Sequence, residues 1–257
     1  MYKTTEIASS EIVSDNPIHQ RLFYPYLKVI EVISGGNMLE IGTGAGRGVE
    51  VMAKIVDNYT GIDKNAPLLK ELSEKYPKFS FIDMFIPPLK GLVDNTFDYI
   101  VTFQVIEHIA DDNAFLKEAF RVLKPGGKLF LTTPNRIMSL TRNPWHEREY
   151  LGLELKNLME KYFKNVVAKG IHGNQLVNDY YEANKKSVKK ITRFDVFNLQ
   201  YILPRWMLQV PYDIGNRLSR NMLLKSEGQL TTGITPDCFH LSDDIDTCYD
   251  FYYVATK

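Results

Sequence analysis

The 257-residue chain has little of several features that mark particular classes of protein. It contains only two cysteines, Cys238 and Cys248, and neither belongs to a Cys-x-x-Cys pair near a histidine, so no zinc or other metal site is predicted. Its first residues lack a positively charged start followed by an apolar core, which predicts a cytoplasmic, reduced protein. No apolar run reaches the ~18 residues of a membrane-spanning helix, so stable membrane insertion is not expected.

An excess of either charge is also missing, since 31 Lys and Arg residues balance 31 Asp and Glu residues. The densest basic pairs, Lys185-Lys186 and Lys189-Lys190, are typical of the solvated face of a helix. No run of Lys and Arg is long enough for a nucleic-acid track, so a nucleic-acid partner is not expected. The apolar share of 44% suffices for one substantial α/β core with an appended piece.

A glycine-rich turn between a predicted strand and a predicted helix is the most informative feature that is present. Residues 38–41 (MLEI) are typical of the end of a buried strand, and three glycines follow at alternate positions, Gly42, Gly44 and Gly46. Glycine adopts positive φ without steric cost and, having no Cβ, allows a ligand close to the backbone. Apolar residues at helical spacing come after Gly48. This order of strand, turn and helix indicates a nucleotide-binding α/β protein.

The spacing of the glycines separates two kinds of nucleotide site. A dinucleotide fingerprint, Gly-x-Gly-x-x-Gly counted from Gly42, requires a glycine at position 47, where this chain has Arg47. A carboxylate at Glu40 would also repel a pyrophosphate but would favour a cationic ligand. These two residues disfavour an oxidoreductase that binds a nicotinamide dinucleotide.

Further segments extend the pattern toward the middle of the chain. The second predicted strand ends at Asp63, about 20 residues beyond Gly42, where a carboxylate suits the two hydroxyls of a ribose. The third predicted strand ends at Asp83-Met84, the fourth leads to Gln104, and a Leu-Lys-Pro-Gly-Gly-Lys-Leu segment at 123–129 opens the fifth. Together with the Glu-x-Gly-x-Gly-x-Gly turn, these segments resemble the class I S-adenosylmethionine-dependent methyltransferases.

The resemblance implies that S-adenosylmethionine (SAM) is the cofactor, and it assigns roles to residues at the strand ends. Asp63 would bind the ribose, Asp83 the adenine amino group, and Met84 the face of the adenine ring. Gln104 would contact the methionine part of the cofactor. The complete set of predicted cofactor-binding residues is Glu40, Gly42, Gly44, Gly46, Asp63, Lys64, Asp83, Met84 and Gln104.

The same resemblance implies a Rossmann-like α/β fold, a doubly wound and mostly parallel sheet of seven strands whose last strand, from Cys248 onward, is antiparallel. Residues 1–257 are predicted to form a single methyltransferase domain. Residues 173–247 are predicted to be a helical insertion before the final strand, because a plain methyltransferase core needs only a short connection there. Three interpretations of this insertion stay open: a helical subdomain over a sheet edge, a substrate lid, and a membrane-surface or partner helix around Tyr201 to Val210.

Two histidines are candidate bases, since methyl transfer from a sulfonium needs alignment, exclusion of water and in some cases removal of a proton. His108 lies in a Val-Ile-Glu-His-Ile segment that resembles quinone and small-molecule O-methyltransferases. His146 lies in an Asn-Pro-Trp-His-Glu-Arg-Glu-Tyr segment that resembles a subset of bacterial methyltransferases. The alternatives are a helix cap or backbone contact for His108, and a loop-holding role for His146.

The predicted function is SAM-dependent methyl transfer to an oxygen of a small-molecule or sugar-type acceptor, with His108 or His146 as base. No Asn-Pro-Pro-Tyr or Asp-Pro-Pro-Tyr motif follows the fourth strand, which counts against methylation of amino groups in nucleic acid. Two alternatives are N-methylation of a small amine or protein side chain, and a non-catalytic SAM-binding scaffold.

Overall fold

The computed structural model describes residues 11–193, 195 and 198–257. The predicted single domain also includes residues 1–10, and the predicted insertion includes residues 194, 196 and 197; these lie outside that description. The strands are β1 (Asn37–Ile41), β2 (Asn58–Asp63), β3 (Ser80–Asp83), β4 (Phe97–Phe103), β5 (Leu123–Pro134), β6 (Lys164–Gly173), β7 (Phe239–Ser242) and β8 (Asp250–Thr256). The α-helices are α1 (Asn16–Ile30), α2 (Val49–Met52), α3 (Ala66–Lys75), α4 (Asp112–Val122), α5 (Gly152–Met159), α6 (Gln175–Thr192), α7 (Leu199–Ile202), α8 (Arg205–Ser226) and α9 (Gly228–Gly233).

These strands form one sheet in the order β3-β2-β1-β4-β5-β8-β6-β7. The first five strands pair in parallel, and β8 lies antiparallel between β5 and β6. The doubly wound, mostly parallel fold with a reversed last strand is therefore confirmed. The predicted number of seven strands is wrong, because β7 adds an eighth strand antiparallel to β6 within the segment predicted to be helical. Four residues are too few for a period-2 pattern to stand out beside the helical segments.

Alternating side chains of the parallel strands enter two apolar clusters, one on each face of the sheet. In β1, Leu39 and Ile41 belong to the cluster that α4 and α5 cover, and Met38 belongs to the cluster that α1 covers. Glu40 faces the same way as Met38, because successive strand residues point to opposite faces. A carboxylate with only 1% exposure therefore lies at the edge of an apolar layer.

The strand order reverses between β1 and β4, and the loops that follow these two strands meet there. A Cβ built on Gly42 would lie 2.3 Å from Cγ2 of Val105. Open α/β sheets bind ligands in the crevice outside the carboxyl ends of the strands at such a reversal. The fold therefore brings the predicted cofactor-binding segments to one edge of the sheet.

The helices before the final strand are anchored to the start of α1 by a buried charge cluster. Asp15 is fully buried and accepts hydrogen bonds from Arg217 at 2.8 Å and Arg220 at 3.0 Å. Helices α6 and α8 are joined by the hydroxyls of Ser187 and Ser219, 2.8 Å apart. A buried carboxylate is stable only when positive partners offset its loss of hydration. Because both partners of Asp15 come from α8, these contacts hold α8 in place. None of the described helices is both long and apolar enough to cross a membrane.

Candidate cofactor and acceptor site

The turn after β1 uses its glycines in two different ways. Gly42, Gly44 and Gly46 have positive φ values of 81°, 53° and 76°. A Cβ on Gly42 or on Gly46 would collide at 2.3 Å with the side chain of Val105 or of Leu72, respectively. A Cβ on Gly44 would meet nothing within 4 Å. Gly42 and Gly46 therefore permit close packing of the turn, whereas Gly44 borders open space.

Asp63, at the end of β2, connects the glycine turn to the neighbouring strands. Its Oδ2 accepts a hydrogen bond from the backbone N–H of Gly44 at 2.8 Å. Its backbone carbonyl accepts from the N–H of Met84 at 2.9 Å, which draws the end of β3 toward the end of β2. Asp63 is half-buried, whereas Lys64 and Asp83 are exposed. The structure thus brings predicted residues from three segments together around Asp63: Gly44 at its carboxylate and Met84 at its backbone carbonyl.

Glu40 is buried, and both of its carboxylate oxygens are bound within the protein. Tyr26 of α1 donates to Oε1 at 2.5 Å, and Tyr59 of β2 donates to Oε2. Burial raises the pKa of Glu40 to about 7, against the lowering effect of the two tyrosine hydrogen bonds and of Arg47. Burial also raises the pKa of both tyrosine hydroxyls well above the usual value. Glu40 therefore fixes α1 and β2 to β1, and its contact with the cofactor stays a prediction.

Gln104 follows β4 in a left-handed backbone conformation, with φ of 58°. Non-glycine residues rarely adopt this conformation, and many of those that do lie at turns or functional sites. The backbone N–H of Gln104 donates to the carbonyl of Thr132 at 2.9 Å, and Nε2 donates to the hydroxyl of Thr132 at 3.2 Å. These bonds tie the end of β4 to β5 and hold the Gln104 side chain at the wall of an adjoining cavity.

The residues at these strand ends fit SAM. Gly44 leaves room beside the backbone. The Asp63 carboxylate accepts from Gly44 at Oδ2 and from Asn65 at Oδ1, which leaves about two of its four lone-pair sites for a ligand. Asp83 adds an exposed acceptor at the end of β3. Met84 adds an apolar surface packed against the core. Carboxylates beside an accessible glycine turn attract the cationic sulfonium and accept from ribose hydroxyls, whereas they would repel a pyrophosphate.

The adjoining cavity has a volume of about 280 Å³, close to the lower end of the range for small-molecule sites. Parts of α1, the loops after β4 and β5, and one side of both α6 and α8 enclose it. Its polar lining includes Arg21, Gln104, Glu107, His108, Asn135, His146, Glu149, Asn184, Asn216 and Arg220, and its aromatic lining includes Tyr180, Tyr181, Tyr212 and Tyr249. Both predicted catalytic histidines are therefore at the same cavity as Gln104.

His108 lines this cavity from a short 3-10 turn after β4, Ile106–His108. Its Nδ1 lies 2.8 Å from the carbonyl oxygen of Trp145. A carbonyl oxygen can only accept, so Nδ1 carries the hydrogen. In the neutral ring, Nε2 then carries the lone pair, and this tautomer can remove a proton from an acceptor.

The second histidine, His146, packs edge-to-face on His108 with ring centroids 4.9 Å apart. Its Nδ1 lies 2.7 Å from the carboxylate of Glu149, and its Nε2 lies 2.8 Å from the side-chain nitrogen of Asn143. The amide orientation is set by Oδ1 of Asn143, which accepts from the N–H of Trp145 at 3.0 Å. Both ring nitrogens of His146 are thus engaged in holding its own loop.

Glu107 is a buried carboxylate at the same cavity, and it is absent from the predicted set. Its Oε2 accepts from the hydroxyl of Thr133 at 2.9 Å, whereas Oε1 has no hydrogen-bond partner among the described residues. Burial raises the pKa of Glu107 to about 7, against the lowering effect of His146. Its backbone carbonyl accepts from the N–H groups of Glu147 and Arg148 and so joins the two histidine-bearing segments.

A possible ligand set for a metal ion exists here, because Glu107, His108 and His146 each offer one ligating atom within 4.8 Å of the others. His146 already uses both ring nitrogens, so a metal ion would have to displace Asn143 or Glu149 from it. The expectation that the chain has no metal site stays a prediction.

Sequence reasoning missed two features of the site. Glu107 could have been found from the sequence, because it directly precedes the candidate base His108 in the loop that follows a buried strand. The tyrosine pair around Glu40 could not, because Tyr26 and Tyr59 lie 14 and 19 residues away and reach it only through the packing of α1 and β2.

Known proteins resemble the part of the chain that contains these strand ends. Residues 39–131 match a family model described as a methyltransferase domain. A probable S-adenosylmethionine-dependent methyltransferase of Mycolicibacterium smegmatis is 34% identical over 140 residues, which are 52% of this chain and 54% of that protein. A ubiquinone biosynthesis O-methyltransferase of Xanthomonas oryzae pv. oryzae is 32% identical over 108 residues, 40% of this chain and 45% of that protein. The chain thus spans about half the length of these curated relatives.

Two solved structures share the fold over nearly the whole chain. A SAM-dependent methyltransferase of Archaeoglobus fulgidus has a TM-score of 0.57 at 15% identity and covers 93% of this chain and 94% of its own. The cyclase SpnF has a TM-score of 0.56 at 16% identity, with 93% and 81% covered. At such identity the likeness shows the fold alone, and the reaction has to be argued from the site. Residues 39–131 thus match a methyltransferase domain, and nearly the whole chain shares its fold with a solved SAM-dependent methyltransferase.

Proposed function

We propose that this protein transfers the methyl group of SAM to an oxygen of a small-molecule or sugar-type acceptor. The observation that carries the proposal is the state of His108, which lines the cavity, donates through Nδ1 to Trp145 and therefore has its lone pair on Nε2. A hydroxyl is a weak nucleophile until a base takes its proton. The relatives named as ubiquinone biosynthesis O-methyltransferases also favour an oxygen acceptor.

The cofactor would be held by residues at the ends of the first four strands. SAM supplies a methyl group on a positively charged sulfur, and the remainder leaves as a neutral thioether. Asp63 would bind the ribose hydroxyls, Asp83 the adenine amino group, and Met84 one face of the adenine. Gly44 would let the cofactor approach the backbone, and Gln104 would bind its methionine part.

Proton removal would fall to His108. Nε2 of His108 would take the hydroxyl proton as the acceptor oxygen receives the methyl group. The resulting imidazolium keeps its Nδ1–H on the carbonyl of Trp145, and a hydrogen bond from a charged donor is stronger than one from a neutral donor. His146 would act as a positioning residue, because its ring nitrogens are bound to Asn143 and Glu149.

The segment 173–247 would serve as a lid over the acceptor. Helices α6 and α8 line the cavity with side chains that include Tyr180 and Tyr212, and would shield a bound acceptor from water. The lid is also connected to the loop that carries His146. Trp145 donates through Nε1 to Asp213 of α8 at 3.2 Å.

Calorimetric titration with SAM and, separately, with NADH tests the cofactor half of this proposal. Release of demethylated cofactor in the presence of phenols and quinols, sugars, or amines then tests the acceptor. We expect SAM alone to bind, and hydroxyl acceptors to accelerate release. Turnover with amines alone would favour N-methylation, and SAM binding without turnover on any acceptor would favour the scaffold. Binding of NADH alone would overturn the assignment.

A further inference from the structure

Helix α8 has several polar residues turned inward beside the buried Leu223, and an apolar face turned outward. The inner face includes Asp213 and Ser219, both with 2% exposure, and the two arginines that bind buried Asp15. The outer face is an apolar row at helical spacing, here called the α8 ridge: Trp206, Met207, Val210, Ile214, Leu218 and Met222. A helix of a globular protein ordinarily has the opposite arrangement, with its apolar stripe toward the core.

The six side chains of the α8 ridge form one exposed apolar surface and are not scattered singly over the protein. Its six members are between 44% (Met207) and 72% (Trp206) exposed. The preceding helix α7 continues the apolar surface with Tyr201 and Ile202, exposed by 63% and 70%. Contiguous exposed apolar surface of this kind marks a site of interaction with another molecule or with a membrane.

Exposed lysines lie on the helices that carry the ridge and pack beside it, in a chain that is neutral as a whole. Residues 182–227 contain nine Lys and Arg residues and four acidic residues. Four of the nine are paired with carboxylates: Lys185 with Glu182, Arg205 with Glu147, and both Arg217 and Arg220 with Asp15. Asp213 is buried, so the exposed side of α8 carries no carboxylate. Lys186, Lys189 and Lys190 are exposed on α6, which packs alongside α8.

We propose that the α8 ridge docks on the surface of a membrane that contains anionic lipids. An amphipathic helix that lies in the interface has an apolar face with Trp or Leu, together with Lys and Arg. Trp206 and Tyr201 are the residue types that prefer the boundary between headgroups and acyl chains. Each basic side chain near an anionic surface adds to the attraction. The docking goes beyond the proposed function and does not depend on it.

A second copy of the chain fits this surface less well than a bilayer does. In a two-fold dimer the same patch meets itself, so the lysines beside one ridge would face the lysines beside the other. Juxtaposed like charges oppose association. An anionic lipid surface instead neutralises the lysines while the ridge is buried. The opposite side of α8 lines the acceptor cavity, so docking would hold that cavity close to the lipid headgroups.

Flotation of the full chain with phosphatidylcholine vesicles and with mixed phosphatidylcholine–phosphatidylglycerol vesicles tests the proposal. We expect binding to the mixed vesicles and a blue shift of Trp206 emission, absent in Trp206→Phe, whose only remaining tryptophan is Trp145. The pair Ile214→Glu/Leu218→Glu should reduce the bound fraction at least tenfold. Lys186→Glu/Lys189→Glu/Lys190→Glu should reduce it by a similar factor at low salt.

The matched control is Val32→Glu/Val93→Glu, which adds the same charge at two exposed apolar positions away from α8, 56% and 70% exposed. This variant should bind vesicles like the unmodified protein. The proposal would be overturned if Ile214→Glu/Leu218→Glu and Val32→Glu/Val93→Glu lost vesicle binding equally. It would also be overturned if the unmodified protein bound neither kind of vesicle. A concentration-dependent dimer in sedimentation velocity that Ile214→Glu/Leu218→Glu dissociates, without vesicle binding, would assign the ridge to a second copy instead.

Discussion

Nδ1 of His108 donates a 2.8 Å hydrogen bond to the carbonyl oxygen of Trp145, 37 residues later in the chain. This bond fixes the tautomer of the ring and connects the turn after β4 to the loop that carries His146. The position of His108 therefore depends on the loop that carries His146. A substitution that tests His108 as a base has to remove Nε2 and keep the hydrogen bond to Trp145.

Replacement of His108 by Asn meets that requirement, because an amide nitrogen can donate to Trp145 near the position of Nδ1. We expect His108→Asn to lower kcat by roughly 10²–10⁴-fold, the usual worth of a general base, and to leave the SAM dissociation constant unchanged. Single-turnover kinetics and calorimetry measure the two quantities. Normal turnover in His108→Asn, with loss only in His108→Ala, would show that the ring merely holds the loop.

His146 should behave differently, because both of its ring nitrogens already bind Asn143 and Glu149. His146→Ala leaves these partners unmatched, which costs about 1–3 kcal/mol of stability and loosens the loop. We expect the KM for the acceptor to rise while the pH dependence of kcat is retained. Urea denaturation and a pH–rate profile of the variant provide the measurements. Loss of the acidic limb of that profile would instead make His146 the base.

Asp57, directly before β2, and Asp63, its last residue, form a matched pair of variants for testing the cofactor site. Each accepts a hydrogen bond from a glycine N–H, Asp63 from Gly44 at 2.8 Å and Asp57 from Gly36 at 2.7 Å. We expect Asp63→Ala to weaken SAM binding by roughly 10²–10⁴-fold, since two hydrogen bonds to a charged group are worth about 1.5–3 kcal/mol each. Calorimetric titration should find unchanged affinity in Asp57→Ala. Equal affinity in both variants would mean that the ribose site is misplaced.

The residues of the cofactor half of the site are close in sequence, whereas those of the acceptor half are brought together by long-range packing. Gly44 and Asp63 belong to one strand–turn–helix–strand unit and are 19 residues apart, so the local pattern of elements brings them together. Asp15 and Arg217 are 202 residues apart, and their ion pair depends on how the helices before the final strand fold back on α1. The occupied nitrogens of His146 and the elevated pKa of Glu107 likewise depend on burial and partners, which no motif encodes.

Alanine substitutions at Gly44 and Gly126 distinguish two effects of a new methyl group: loss of space for the cofactor and strain in the backbone. Both have positive φ, and a Cβ on either would meet nothing within 4 Å of the protein. Alanine at either position costs about 1–2 kcal/mol, because an L side chain disfavours the left-handed conformation. Only Gly44→Ala should also lose SAM affinity, at least tenfold, since its new methyl group enters the proposed cofactor space. Thermal unfolding and calorimetry of both variants report the two effects, and unchanged affinity in Gly44→Ala would place the cofactor elsewhere.

Glu107 makes stability depend on pH in the direction opposite to that of a salt-bridged carboxylate. Burial raises its pKa from 4.5 to about 7, so the folded state holds the proton over a range in which the unfolded state has released it. The free energy of unfolding therefore falls as pH rises from 4.5 to 7, by about 3 kcal/mol from this group, and is flat above that range.

Glu107→Gln should remove this loss, because glutamine keeps an acceptor for Thr133 and never ionises. We expect the variant to gain stability over the unmodified protein progressively from pH 4.5 to 7, measured by urea denaturation at several pH values. Glu118→Gln is the control of opposite sign, since the hydrogen bond from Arg121 lowers the pKa of Glu118. That substitution should destabilise at neutral pH, and its effect should vanish in acid. A difference between Glu107→Gln and the unmodified protein that does not change with pH would mean that Glu107 titrates normally, with its carboxylate reached by water.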